Sequence, residues 1–183
     1  NGKLALATGF GQLNGNELGL ADKDLYFAQG AYNFGFAKLN ANYFATKESN
    51  ENDEVYGIGL NVPVQKFNVF GEYWKNTTAK DNDTAWNAGL SYGKADWKKV
   101  GTWDLAVAYN DIDKEMNFSG LTGLQTNVIS AYKLANNLTY WNAIGNVTLQ
   151  KNVQLHAEYA FAADAEGVND EEDSWTVSLN YKF

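Results

Sequence analysis

Residues 174–183 alternate without interruption between large apolar side chains (Trp175, Val177, Leu179, Tyr181, Phe183) and polar ones (Thr176, Ser178, Asn180, Lys182). A period of two describes a strand with one apolar face and one wetted face. Left bare in water, such an apolar ridge at the edge of a sheet would invite association. Hydrocarbon would cover it.

The same pattern recurs upstream. Leu4, Leu6, Thr8 and Phe10 form the first ridge, and a polar Gly/Asn stretch then runs to Asp24. Tyr26, Ala28, Gly30 and Tyr32 follow, then a turn at Asn33, Phe34, Gly35 and Phe36, then Leu39, Ala41, Tyr43 and Ala45. After the acidic stretch 48–54 come Tyr56, Ile58, Leu60 and Val62, a turn placed at Pro63 to Lys66, and Phe67, Val69, Gly71 and Tyr73. A proline in a turn gives up no ladder hydrogen bond. Beyond the polar loop 76–83 lie Trp86, Ala88, Leu90 and Tyr92, and a lysine-rich connection leads to Trp103, Leu105, Val107 and Tyr109. Trp141, Ala143, Gly145, Val147 and Leu149 turn at residues 150–152 into Val153, Leu155, Ala157, Tyr159 and Phe161. About ten strands result, with long and short connections alternating.

Composition agrees with an all-β chain and narrows its chemistry. There are 17 Gly and one Pro among 183 residues and 15% aromatics, which suits short strands and turns. Cysteine is absent, so neither disulfides nor thiolate metal sites are available. Every basic residue is lysine and the net charge is -8, which leaves no guanidinium fork for phosphate and argues against a nucleic-acid partner. No run reaches the roughly 18 apolar residues of a spanning helix. A membrane-spanning strand shows lipid only on alternate residues, so low mean hydropathy is compatible with a membrane. The chain opens on Asn1 without a signal peptide, as expected of a mature protein or a fragment.

Parity organises the difficult segment 110–137. With Phe183 at one rim, counting back places strand 103–109 and strand 138–149 next to each other and antiparallel, with no strand between them. Leu124, Val128, Ile129 and Tyr132 fall at helical spacing behind Thr126, a candidate N-cap, so the segment predicts a short helix in an outer loop. An extra strand through Val128, Ser130 and Tyr132 is the alternative.

Charge follows the same topology. Of 22 acidic residues, three lie before Leu25, four in 48–54, two at Asp81 and Asp83, three at Asp111, Asp113 and Glu115, and six in 164–173, all near long connections. The short turns hold Lys66, Lys94, Lys98, Lys99 and Lys151 against Asp96 alone. Solvated loops of any kind explain acidity, but not this segregation by end.

If the aromatic side faces lipid, Trp86, Tyr92, Trp103, Tyr109, Trp175 and Tyr181 fall near strand ends, where interfacial girdles sit. The opposite side would line a lumen with Lys38, Asn40, Asn42, Glu72, Asn87, Asp104, His156, Glu158 and Lys182, whose charged members would tune ion selectivity. Small and amide residues dominate that side, which implies a wide wet lumen or one plugged by something else. Neither a phosphate loop nor a metal-ligand spacing is present, so no cofactor and no catalytic residue are expected. His156, the one histidine, lies near Glu158, but no Ser or second acid stands at a sequence spacing that would orient it. Outer-membrane enzymes that use Asn-His-Ser or Asp/His sets are therefore set aside in favour of a solvated lumen histidine.

With these elements in place, the last strand resembles that of outer-membrane β-barrels, in which alternating apolar positions ending on Phe are read by the barrel-assembly machinery. The resemblance assigns Trp175, Val177, Leu179, Tyr181 and Phe183 to that signal. Segments Gly101-Thr-Trp-Asp-Leu-Ala-Val-Ala-Tyr109 and Leu149-Gln-Lys-Asn-Val-Gln-Leu-His-Ala-Glu-Tyr159 are similar to porins of outer-membraned Firmicutes linked to a surface-layer-homology tether. That resemblance implies an antiparallel up-and-down transmembrane β-barrel over residues 1–183, or the C-terminal part of one. It also implies a passive, non-enzymatic channel in a diderm outer membrane, lipid as solvent, and a homotrimer. A general porin has about 16 strands, so six or so would lie outside this chain. The alternatives are a small closed barrel with a structural or adhesive role through its acidic loops, and a soluble barrel holding a ligand.

Overall fold

A computed structural model describes residues 3–13, 23–47, 52–116, 137–167 and 173–183. Ten strands follow one another in a single antiparallel sheet: β1 (Lys3–Leu13), β2 (Lys23–Asn33), β3 (Lys38–Lys47), β4 (Asn52–Val64), β5 (Phe67–Asn76), β6 (Thr84–Gly93), β7 (Trp103–Ile112), β8 (Leu138–Gln150), β9 (Val153–Ala165) and β10 (Ser174–Tyr181). Each pairs with its sequence neighbours, in up-and-down order. Among the described residues, β1 and β10 are not paired with each other, so the sheet is barrel-like but open. As parity required, β7 pairs directly with β8, Trp103 opposite Val147 and Tyr109 opposite Trp141. The predicted helix around 124–136 lies outside the described residues. A 3-10 turn, Lys114–Met116, follows β7.

Connections 34–37, 65–66, 94–102 and 151–152 lie at one end of the sheet, the turn end; the strand ends at the opposite side, with the described residues 77–83 and 113–116, make the loop end. Two details differ from the sequence pattern. Several strands extend past their aromatic runs, so Asp24, Asp53, Glu54, Asp111 and Asp164 belong to strands rather than loops. Backbone pairing continues beyond the apolar segment because the ladder depends on main-chain groups, not on side-chain polarity. Pro63 sits inside β4, opposite Asn68, and the turn is only Gln65 and Lys66, with Gln65 at φ 59°. It is tolerated there because β3 ends opposite Asn61, leaving Pro63 with a neighbour on one side only.

The two faces are inverted relative to a water-soluble sheet. Leu6 is 74% exposed, and Trp175, Ile58, Val69, Leu105 and Val177 are all exposed on the outer face. The buried positions on the inner face include Asn110, Asn142, Gln154 and Glu158. One element of inner-face packing is shared by three strand pairs: an aromatic ring lies flat over a glycine opposite. Phe27 covers Gly9, Trp74 covers Gly57, and Phe70 covers Gly89. A Cβ on Gly57 would enter the Trp74 ring, and one on Gly89 would meet the Val107 carbonyl oxygen at 2.6 Å. Glycine is needed here for space, not for its φ. Replacing Gly57 by Ala is expected to cost about 1–3 kcal/mol by overpacking. Gly11→Ala, where a Cβ meets nothing within 4 Å, should be near neutral in urea unfolding followed by tryptophan fluorescence.

Candidate functional site

Burial on one face of a one-layer sheet requires either curvature or a covering loop, and the inner face of β4 to β9 has both at the loop end. Val55, Trp74, Ala85, Ile112, Leu138, Tyr140, Ala160 and Ala165 form one apolar cluster, with Phe44 beside it and Met116 folded down from the 3-10 turn. Trp74 is 4% exposed, with Phe44 5.9 Å away and its indole N–H donating to Glu72 Oε2 at 3.2 Å. Above this cluster the connections are tied together. Asn137 Oδ1 accepts from the Lys114 N–H at 2.9 Å, while its Nδ2 donates to Asn82 Oδ1 at 3.0 Å and Glu166 Oε2 at 2.6 Å. Asn76 Nδ2 donates to the Glu115 carbonyl at 3.1 Å. The loop end of the inner face is therefore largely apolar and braced.

The turn end is closed differently, by backbone. The connection 94–102 folds against β8 and the 151–152 turn: the Gly101 N–H donates to the Thr148 carbonyl at 2.8 Å, and the Asn152 N–H to the Trp97 carbonyl at 2.7 Å. Thr148 Oγ1 donates to the Asp96 carbonyl at 3.1 Å and accepts from Gln154 Nε2 at 3.0 Å. Lys182 lies over the Trp97 ring, 5.5 Å from its centroid.

Between these ends the inner face is polar. Asp104, Asn146 and His156 are successive cross-strand partners on β7, β8 and β9. The Ala95 N–H donates to Asp104 Oδ2 at 2.9 Å, and Asn146 Nδ2 donates to Asp104 Oδ1 at 2.7 Å. Asn146 Oδ1 then faces His156 Nδ1 at 2.8 Å, and His156 Nε2 faces Glu158 Oε1 at 2.8 Å. Glu158 is 6% exposed. Its Oε2, together with Asn68 Oδ1, Asn87 Oδ1, Asn110 Nδ2 and Asn142 Oδ1, is buried without a protein hydrogen-bond partner among the described residues.

The structure thus brings Asp104, His156 and Glu158 together and places Asn87 and Glu72 on the same face. Lys38 stands exposed at the turn end of β3, with Asn40 and Asn42 half-buried along it. Two readings of the sequence change. His156 is oriented after all, through Asn146 to a second acid, Asp104. The signal was cross-strand register, which linear spacing does not carry. Ser178 is also the cross-strand partner of His156, but Nε2 is engaged by Glu158, so no nucleophile is activated. The inner side is also less uniformly small than expected, because Phe44, Ile112 and Tyr140 turn inward beside Trp74.

Trp86, Trp103, Trp175 and Tyr181 stand exposed on the outer face, with Tyr92 and Tyr109 half-buried beside them. Cross-strand neighbours bring their rings into rows: Trp86, Tyr109 and Trp141 at centroid distances of 5.4 and 5.3 Å, and Phe67, Tyr92 and Trp103 at 4.9 and 5.5 Å. The first row lies toward the loop end and the second toward the turn end, with Ala88, Leu90, Leu105 and Val107 between. Two aromatic rows flanking an aliphatic band on an exposed face define a membrane-spanning strand array.

A family model described as Gram-negative porin matches residues 1–97, a little over half of the 183-residue chain. The chain belongs to the Gram-negative porin family. A search of curated proteins found no match. Porins are non-enzymatic channel proteins of the outer membrane, and the inverted faces of this sheet are what that location demands. In this porin Trp74 joins the loop-end cluster to the wall. Trp74→Ala is expected to cost about 3–5 kcal/mol, with Trp74→Phe recovering most of it, as read by unfolding in detergent or lipid.

Proposed function

We propose that this porin is a water-filled channel for passive diffusion of small hydrophilic solutes and ions across the outer membrane of a diderm bacterium. The observation that carries it is the exchange of faces: large apolar side chains exposed outward, and amides, a histidine and carboxylates turned inward. In this reading the turn end is periplasmic, the acidic loop end is external, and the aromatic rows lie at the two lipid interfaces. Strands of eight to thirteen residues suit a tilted crossing. Trp175, Val177, Leu179, Tyr181 and Phe183 present the assembly signal. Relationship to tethered porins of Firmicutes and a homotrimeric state belong to the same proposal.

In hydrocarbon the free edges of β1 and β10 must each be paired. Because the two strands run antiparallel, they can meet each other or accept an even number of further strands between them, and completion by strands outside this chain is the arrangement we favour. The braced apolar cluster at the loop end favours a second reading, a barrel that is structural or adhesive rather than open. Planar bilayers decide: stable unitary conductance steps are expected, and inserted protein that stays silent would establish the structural alternative. The lipid assignment has its own test. Leu90→Arg, on the outer face, should destabilise by about 2–4 kcal/mol in liposomes, whereas Ser91→Arg, one residue on and facing inward, should be tolerated far better; equal effects would refute it.

A further inference from the structure

The hydrogen-bonded row Asp104, Asn146, His156, Glu158 contains three contacts, each of which needs one hydrogen. Asp104, which also accepts the Ala95 N–H, is an acceptor at one end. Asn146 presents Nδ2 to Asp104 and therefore only an oxygen to His156. His156 Nδ1 must then carry hydrogen and donate. A neutral imidazole protonated on Nδ1 has a bare Nε2, and a bare nitrogen 2.8 Å from an ionised carboxylate oxygen is repulsive. The third contact forms only when one more proton sits between His156 and Glu158, either as imidazolium and carboxylate or as imidazole and carboxylic acid. Changing tautomer does not help. With Nε2–H donating to Glu158, Nδ1 would be bare against the Asn146 oxygen, and turning the amide over would set that oxygen against Asp104.

We infer that His156 determines the ion selectivity of this porin by holding one exchangeable proton in its wall, with Asn146 as the positioning residue. Resting on the channel reading above, this adds a specific residue and a direction. With the proton, Asp104, His156 and Glu158 together carry one negative charge; without it, two. The surroundings leave that change uncompensated. β8 contributes only neutral Asn146 and Ile144 beside the pair, and β10 contributes Ser178 and Thr176 as cross-strand partners of His156 and Glu158. In the 94–102 connection Asp96 already accepts the Lys98 N–H, and Lys182 is held over Trp97. His156 and Glu158 keep side-chain exposures of 15% and 6%, so the charge acts on a permeating ion through the field at the wall and not by direct contact.

Two measurements test this. Reversal potentials in a salt gradient should show cation preference rising from acid to alkaline pH, as the row gives up its proton and one positive charge with it. Glu158→Gln should abolish that rise, because its amide N–H donates to a neutral His156 and completes the row without the extra proton. A pH-independent preference in the unaltered protein, or an undiminished rise in Glu158→Gln, would overturn the inference. His156 is the only histidine in the chain, so nitrogen NMR of labelled protein in micelles reads it alone, whether or not the protein conducts. Nδ1 should be protonated throughout, with the extra proton seen at low pH and absent in Glu158→Gln. A neutral ring carrying hydrogen on Nε2 would refute the row as drawn. A silent bilayer would remove the channel and the selectivity role together, while the NMR result would still decide whether the row holds the proton.

Discussion

One sheet has two faces, and this one can bury only one of them. The face that β4 to β9 cover holds amides, carboxylates and one small apolar cluster, while the large aliphatic and aromatic side chains of the outer face have only one another to pack against. In water that arrangement would lose the apolar burial that normally drives folding. In a bilayer the roles exchange: lipid takes the place of the core, and the strand ladder satisfies the backbone groups that hydrocarbon cannot. The ten-strand pairing, the aromatic rows and the inward placement of Asp104, Asn146, His156 and Glu158 are consequences of that one exchange of solvent.

The inner face then faces the opposite problem, too much polarity for a packed interior. It is solved at three levels. At the loop end, Trp74, Ile112, Met116 and Tyr140 build a small dry cluster, and Asn137 and Asn76 tie the connections above it. At the turn end, the connection 94–102 is fastened by main-chain bonds to β8 and to the 151–152 turn. Between them runs the hydrogen-bonded row that ends on Glu158, with Asn87 farther along the same face. Flat rings over Gly9, Gly57 and Gly89 let large inward side chains lie against the wall instead of projecting into the lumen. Space in the middle is thus a product of how rings are stowed, as much as of small residues.

Much of the fold was legible from period-two alternation, because side-chain direction in a strand depends on nothing beyond the backbone. Strand number, the adjacency of β7 and β8, and the outward direction of Trp103 or Val177 all follow from it. Strand limits did not, as Asp53, Glu54 and Pro63 show: pairing persists wherever a neighbouring main chain is available, whatever the side chain. The site was legible by face and not by contact. Asp104 and His156 could be placed on the same side of the sheet, but 52 positions apart in sequence nothing announced that Asn146 would join them.

The amino-acid order alone therefore determined an all-β chain with a greasy side, a wet side and charge sorted by end. These are local properties, repeated strand by strand. Only the tertiary structure decided which side is buried, which rings are folded flat over glycines, and which polar groups touch. Those depend on register and curvature, set jointly by neighbouring strands, and no single strand encodes either.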